Sequence, residues 1–115
     1  MKIIAIGLFA FAIISCTSNV GELTPCNVPD KVLYFTDVYP IIDRTCAIPN
    51  CHVNGSQHGN FKNADEVKKV ADNGRLEFMI VTRQMPAGIT SGPSFLTDCE
   101  INIISKWIKN GASIN

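Results

Sequence analysis

Cys46-Ala47-Ile48-Pro49-Asn50-Cys51-His52 places two cysteines and a histidine within seven residues, in a chain of 115 residues that has five cysteines in all. A chain of this length makes one small domain. Such a domain buries too little apolar surface to be stable by its core alone, and commonly adds a disulfide, a metal or a bound cofactor. What the sulfur atoms do therefore decides what the domain becomes, and that depends first on the compartment in which it folds.

Residues 1–15 address the compartment. Met1-Lys2 is a short basic start, Ile3 to Ile14 is apolar, and Ser15 is a small residue before Cys16. This is the layout of an export signal. The apolar run, about 12 residues, falls short of the roughly 20 needed to cross a bilayer. A short buried helix or an uncleaved anchor is the alternative. Ile13-Ile14-Ser15-Cys16 resembles the lipobox of bacterial lipoproteins, in which the cysteine carries diacylglycerol and becomes the first residue of the mature chain. The resemblance implies lipidation at Cys16 and a membrane-anchored protein facing the periplasm, on either the inner or the outer membrane. Thr17-Ser18-Asn19-Val20-Gly21 is small and polar and suits a tether, so residues 16–31 are assigned as tether and loop and residues 32–115 as the domain.

Loss of the signal removes Lys2 and leaves nine positive side chains against ten negative. Near neutrality leaves no basic stripe, and nucleic acid is excluded as a partner.

The domain reads as all-α. Val38, Ile41 and Ile42 form one apolar face of a helix over Val32 to Thr45, with Thr36 as its N-cap and Asp37 in its first turn. Residues 46–62 are loop-like. Asn63-Ala64-Asp65-Glu66 has the form of a capping box for a second helix that buries Val67, Val70 and Ala71 and ends at Asn73-Gly74. Arg75 to Arg83 predicts a third helix, burying Leu76, Met79 and Ile80. Gln84 to Phe95 is a loop. Thr97 or Asp98 caps the last helix, whose wide apolar stripe includes Ile101, Ile104, Trp107 and Ile108, with Gly111 as the stop.

A histidine directly after the second of two cysteines is the attachment pattern of a c-type haem: two thioethers hold the porphyrin edge and the imidazole ligates iron. The usual spacing has two residues between the cysteines, whereas four stand between Cys46 and Cys51. Pro49-Asn50 favours the turn that would let a longer loop bulge outward. Two other uses remain open on this motif alone. Cys46 and Cys51 could form a disulfide with His52 a bystander, or the three residues could ligate zinc, which an oxidising space disfavours.

Further segments follow a family order. Met85-Pro86 stands in a loop, with Met85 33 residues after His52. Phe35-Thr36-Asp37-Val38-Tyr39-Pro40-Ile41-Ile42 precedes the haem motif, and Leu96 to Ala112 ends the chain with Trp107 on its helix. Together they resemble small class I cytochromes c found in bacterial lipoproteins, over roughly residues 32–112. The resemblance implies a cytochrome c-like fold of three to four helices with long haem-binding loops. It implies one haem c on Cys46 and Cys51, with His52 and Met85 as axial iron ligands, and Trp107 packed on the first helix. Val53 stands where the family often has glycine. His58 is an alternative axial ligand, although a solvated loop position suits it better. With Cys16 lipidated and Cys46 and Cys51 on haem, Cys26 and Cys99 are left as a pair, expected to be joined. The implied function is one-electron transfer to redox partner proteins of the cell envelope by a monomer held to the membrane through its lipid. A haem-free, disulfide-stapled interaction module is the alternative, and an open iron site acting as an enzyme or gas sensor is a third.

Overall fold

The computed structural model describes residues 25–115. The expected signal segment and Cys16 lie outside the described residues. Among the described residues all regular structure is helical: a π-helical turn (Tyr34–Val38) runs directly into α1 (Tyr39–Thr45), followed by α2 (Ala64–Asp72), α3 (Arg75–Val81) and α4 (Asp98–Lys109). The all-α expectation holds.

The start of the first helix departs from expectation. Thr36 lies inside the π-helical turn, exposed, and caps nothing. The Leu33 N–H donates instead to the Asp37 carboxylate at 2.7 Å. The N–H that a Thr36 cap would satisfy, three residues on at Tyr39, is taken by the backbone. The Tyr39 N–H reaches back five residues to the Tyr34 carbonyl, which closes the wide turn. Pro40, in the first turn of α1, has no N–H to give, so the narrower α pattern could not be completed there.

Asn63 caps α2, its side-chain oxygen accepting from the Asp65 N–H at 2.9 Å. The second half of the expected box is not made at Asn63. Glu66 accepts from the Asn60 N–H at 2.6 Å and so ties down the loop before the helix. Gly74, at φ +79°, supplies the left-handed residue that breaks the chain between α2 and α3. At α4 the box is complete: the Thr97 hydroxyl accepts from the Glu100 N–H, and the Glu100 carboxylate accepts from the Thr97 N–H at 2.9 Å.

Helix α3 packs against both α2 and α4, and α4 against the π-helical turn. Val38, Ile42, Val67, Ile80, Ile104 and Trp107 are the fully buried centre. Trp107 meets Tyr34 with ring centroids 5.2 Å apart, so the last helix is sewn to the first by aromatic contact. The Trp107 indole N–H donates to the Ser113 carbonyl at 2.8 Å. The Tyr34 hydroxyl is buried without a partner, and burial beside Tyr39 pushes its pKa up to about 12. A disulfide joins Cys26 to Cys99, across 73 residues, and fixes the chain ahead of the first helix to the start of α4. The space between the 46–61 loop, α3 and the segment after α3 is left as a cavity.

Candidate cofactor pocket

The cysteine loop is closed by its own backbone. The N–H groups of Cys46 and Ala47 both donate to the Ile42 carbonyl at 2.9 Å, the Cys51 N–H donates to Ile48, and the His52 N–H returns to the Cys46 carbonyl at 3.1 Å. Pro49 and Asn50 are exposed, and Asn50 takes φ +67°, a left-handed value that asparagine tolerates better than most residues. The first cysteine and the histidine are thus brought together through the main chain, with Pro49 exposed and Asn50 at the cavity rim.

The His52 imidazole is held on one face and at one nitrogen. It stacks on Phe61, with centroids 3.9 Å apart and planes 12° from parallel. Its Nδ1 lies 3.0 Å from the His58 carbonyl oxygen. A carbonyl only accepts, so Nδ1 carries the hydrogen and the neutral ring keeps its lone pair on Nε2. Metal-ligating histidines characteristically donate their second nitrogen to such an acceptor, which fixes tautomer and orientation together.

Cys46 and Cys51 are free thiols, Cys46 buried and Cys51 half-buried. Burial pushes the Cys46 pKa up, opposed by the Thr45 hydroxyl 3.3 Å away and by Arg44.

These residues line a cavity of about 380 Å³, together with Met79 and Met85 and an aliphatic wall that includes Val70, Leu76 and Ile80. The size and apolar lining are those of a small-molecule or cofactor site. Another depression, on α2 beside Asp65, Lys68 and Asp72, is open to solvent and offers only charged and amide side chains.

Met85 reaches the cavity because the chain doubles back after α3. The N–H groups of Gln84 and Met85 both donate to the Met79 carbonyl, at 3.0 and 3.1 Å. Met79, expected to be a core residue, is only half-buried and lines the same cavity. Its place on α3, one turn before the loop, turns it toward the space the loop encloses. His58 is exposed, as expected, and also borders the cavity. Its main role is through its backbone, behind the His52 ring. Phe61 went unnoticed in the sequence, where its signal was a lone large aromatic between Asn60 and Lys62 in an otherwise polar loop.

No protein-family model, curated protein or solved structure matches this chain. What the pocket could hold follows from its donors. Among the described residues no group of three or more His, Cys, Asp or Glu side chains is arranged to hold a metal ion, so zinc on Cys46, Cys51 and His52 finds no support. The His52 imidazole with one thioether, from Met79 or Met85, both of which line the cavity, is a different set, suited to the iron of a porphyrin. Two free thiols on the loop that carries the imidazole, against an apolar wall, fit a c-type haem in chemistry.

Proposed function

We propose that this chain is an exported c-type cytochrome: a one-electron carrier with one haem attached through Cys46 and Cys51, ligated by His52 and Met85, and tethered to a membrane by lipid on Cys16. The observation that carries the reading is the His52 Nδ1–H donated to the His58 carbonyl at 3.0 Å, which leaves Nε2, with its lone pair, as the ligating atom of a ring already clamped against Phe61. A histidine that was a mere bystander to a disulfide would have no need of either restraint. The free thiols at 46 and 51 also favour attachment over a module stapled by a bond between them.

A haem bound here would supply reversible transfer of one electron between ferric and ferrous iron. The protein's part is positional. The Cys46–His52 loop presents thiols and imidazole from one short turn. Met85 offers a soft sulfur from the segment that follows α3, and such a ligand would raise the potential of a bound haem. Leu76, Ile80 and Val70 give the cavity an aliphatic wall. Held by His52 and Met85, such a group would be suited to passing electrons to envelope partners rather than to binding a substrate.

The test is intact-mass analysis and in-gel haem staining of the full chain produced with a cytochrome c maturation system. Covalent porphyrin is expected on the parent and on Met85→Ala, and none on a Cys46→Ala, Cys51→Ala double variant. A parent of unmodified mass, or one with Cys46 bonded to Cys51, would overturn the proposal.

A further inference from the structure

Arg83 adopts φ +60°, one residue beyond the C-cap of α3. That is the left-handed position where helices favour glycine, because a side chain there crowds the backbone. The chain accepts this strain and places an arginine, so the side chain has a use that glycine could not serve. Its guanidinium donates to the carbonyl of Leu96, a fully buried residue, at 2.6 Å. It also pairs with the Asp98 carboxylate at the start of α4, and lies over the Phe95 ring at 5.7 Å. Gln84 and Met85 follow immediately, their N–H groups both spent on the Met79 carbonyl.

We propose that Arg83 is a positioning residue that clasps the Met85 turn to the Phe95–Asp98 segment and so keeps the Met85 sulfur available to the pocket. This rests on the cytochrome reading above. The clasp spans the two sides of the turn: α3 on one, the capped start of α4 on the other. The Leu96 carbonyl is the main anchor, because Asp98 is largely exposed and an exposed ion pair contributes little. Arg44 holds the same segment from its other side, through the carbonyls of Pro93 and Phe95 and through Glu100. The strand of chain from 93 to 98 is thereby gripped by two arginines, each two residues before a pocket residue, Cys46 or Met85.

Two readouts on the matured full-length protein test this. The first is amide hydrogen exchange at Gln84 and Met85, referenced to the core amides of Val67 and Ile104. In Arg83→Ala exchange at the two turn amides should rise about tenfold while the core amides keep their ratio to the parent, and Arg83→Lys should recover part of the protection. A uniform rise at turn and core alike would mean general destabilisation and overturn the proposal. The second is binding of imidazole to the ferric protein, which must displace Met85. Arg83→Ala should bind it about tenfold more tightly, since the sulfur-off state is more populated, and Met85→Ala more tightly still. Unchanged imidazole affinity in Arg83→Ala, with tighter binding in Met85→Ala, would overturn the clasp and leave the axial assignment intact. No change in either variant would instead remove Met85 as the ligand and the clasp's purpose with it.

Discussion

The rings of His52 and Phe61 lie parallel within 12° at 3.9 Å, and Phe61 also returns its N–H to the His52 carbonyl at 2.9 Å. Phe61 is thus a floor under the imidazole, itself 6% exposed. Phe61→Ala should cost about 3 kcal/mol from the cavity it leaves, and Phe61→Leu about 1 kcal/mol. Denaturant midpoints of the matured protein measure both. A loss under half a kcal/mol for alanine would show that the floor bears no weight.

The thioether of Met85 is expected to raise the reduction potential. Met85→Ala should lower it by on the order of 0.1 V, a modest part of the roughly 0.8 V range that axial ligands command, and should abolish the weak red-edge absorption that marks iron–thioether coordination. Redox titration and the ferric spectrum report the two effects. The parallel variant His58→Ala should change neither, because His58 acts on His52 through its carbonyl.

The Thr97–Glu100 box closes the N-terminus of α4 on both sides. Thr97→Ala should cost about 1 kcal/mol. Thr97→Ser should be close to neutral, since the hydroxyl is retained. Thermal or urea unfolding distinguishes them.

Much of the frame could be read directly. Asn63 and Thr97 announced their helices because a cap is a local event: one side-chain oxygen, two or three residues from the N–H it meets. The apolar stripe of α4 was equally visible, since Ile101, Ile104 and Trp107 recur at helical spacing. Thr36 misled because the Tyr39 N–H it would have capped turns back to the Tyr34 carbonyl, while Asp37 holds the Leu33 N–H. Glu66 misled because its carboxylate reached out of the helix to Asn60. At the pocket, Cys46, Cys51, His52 and Met85 were marked by motif, whereas Phe61, Met79 and Arg83 gain their roles only through contacts that are made in the folded chain. A stacking partner nine residues after a histidine, or a guanidinium aimed at a carbonyl 13 residues on, leaves no periodic trace.

The Cys26–Cys99 bridge closes a loop of more than 70 residues. In the chain-entropy model its removal costs about 4 kcal/mol. Cys26→Ser, Cys99→Ser should therefore lower stability by several kcal/mol while leaving haem attachment chemistry at Cys46 and Cys51 unchanged. Urea titration of the matured double variant is the measurement, and a loss below about 1 kcal/mol would contradict the expectation.

Tyr34 supplies a pH dependence. Its folded pKa stands at about 12, above the ordinary value of 10.0, because burial disfavours the phenolate. The unfolded chain therefore releases this proton first, and the native state binds more protons between the two values. The contribution is fully present below pH 10 and is lost as the pH rises toward 12. Tyr34→Phe should flatten that alkaline decline. It should also be neutral or slightly stabilising at pH 7, since the buried hydroxyl has no partner to lose. Unfolding midpoints at intervals from pH 7 to the alkaline limit test both parts.

The bond at Cys26 also governs altitude above a bilayer. On the proposed lipid at Cys16, ten residue steps of chain run from the acyl anchor to Cys26, where the disulfide ties it to the fold. Whatever their conformation, that length spans at most about 35 Å. Under the proposed function, so short a mooring would confine the protein to partners embedded in, or lying on, the same membrane surface. Were the bridge reduced, the chain would next be held at Val28 and Val32, which pack on the core, so the mooring would lengthen by only a few residues.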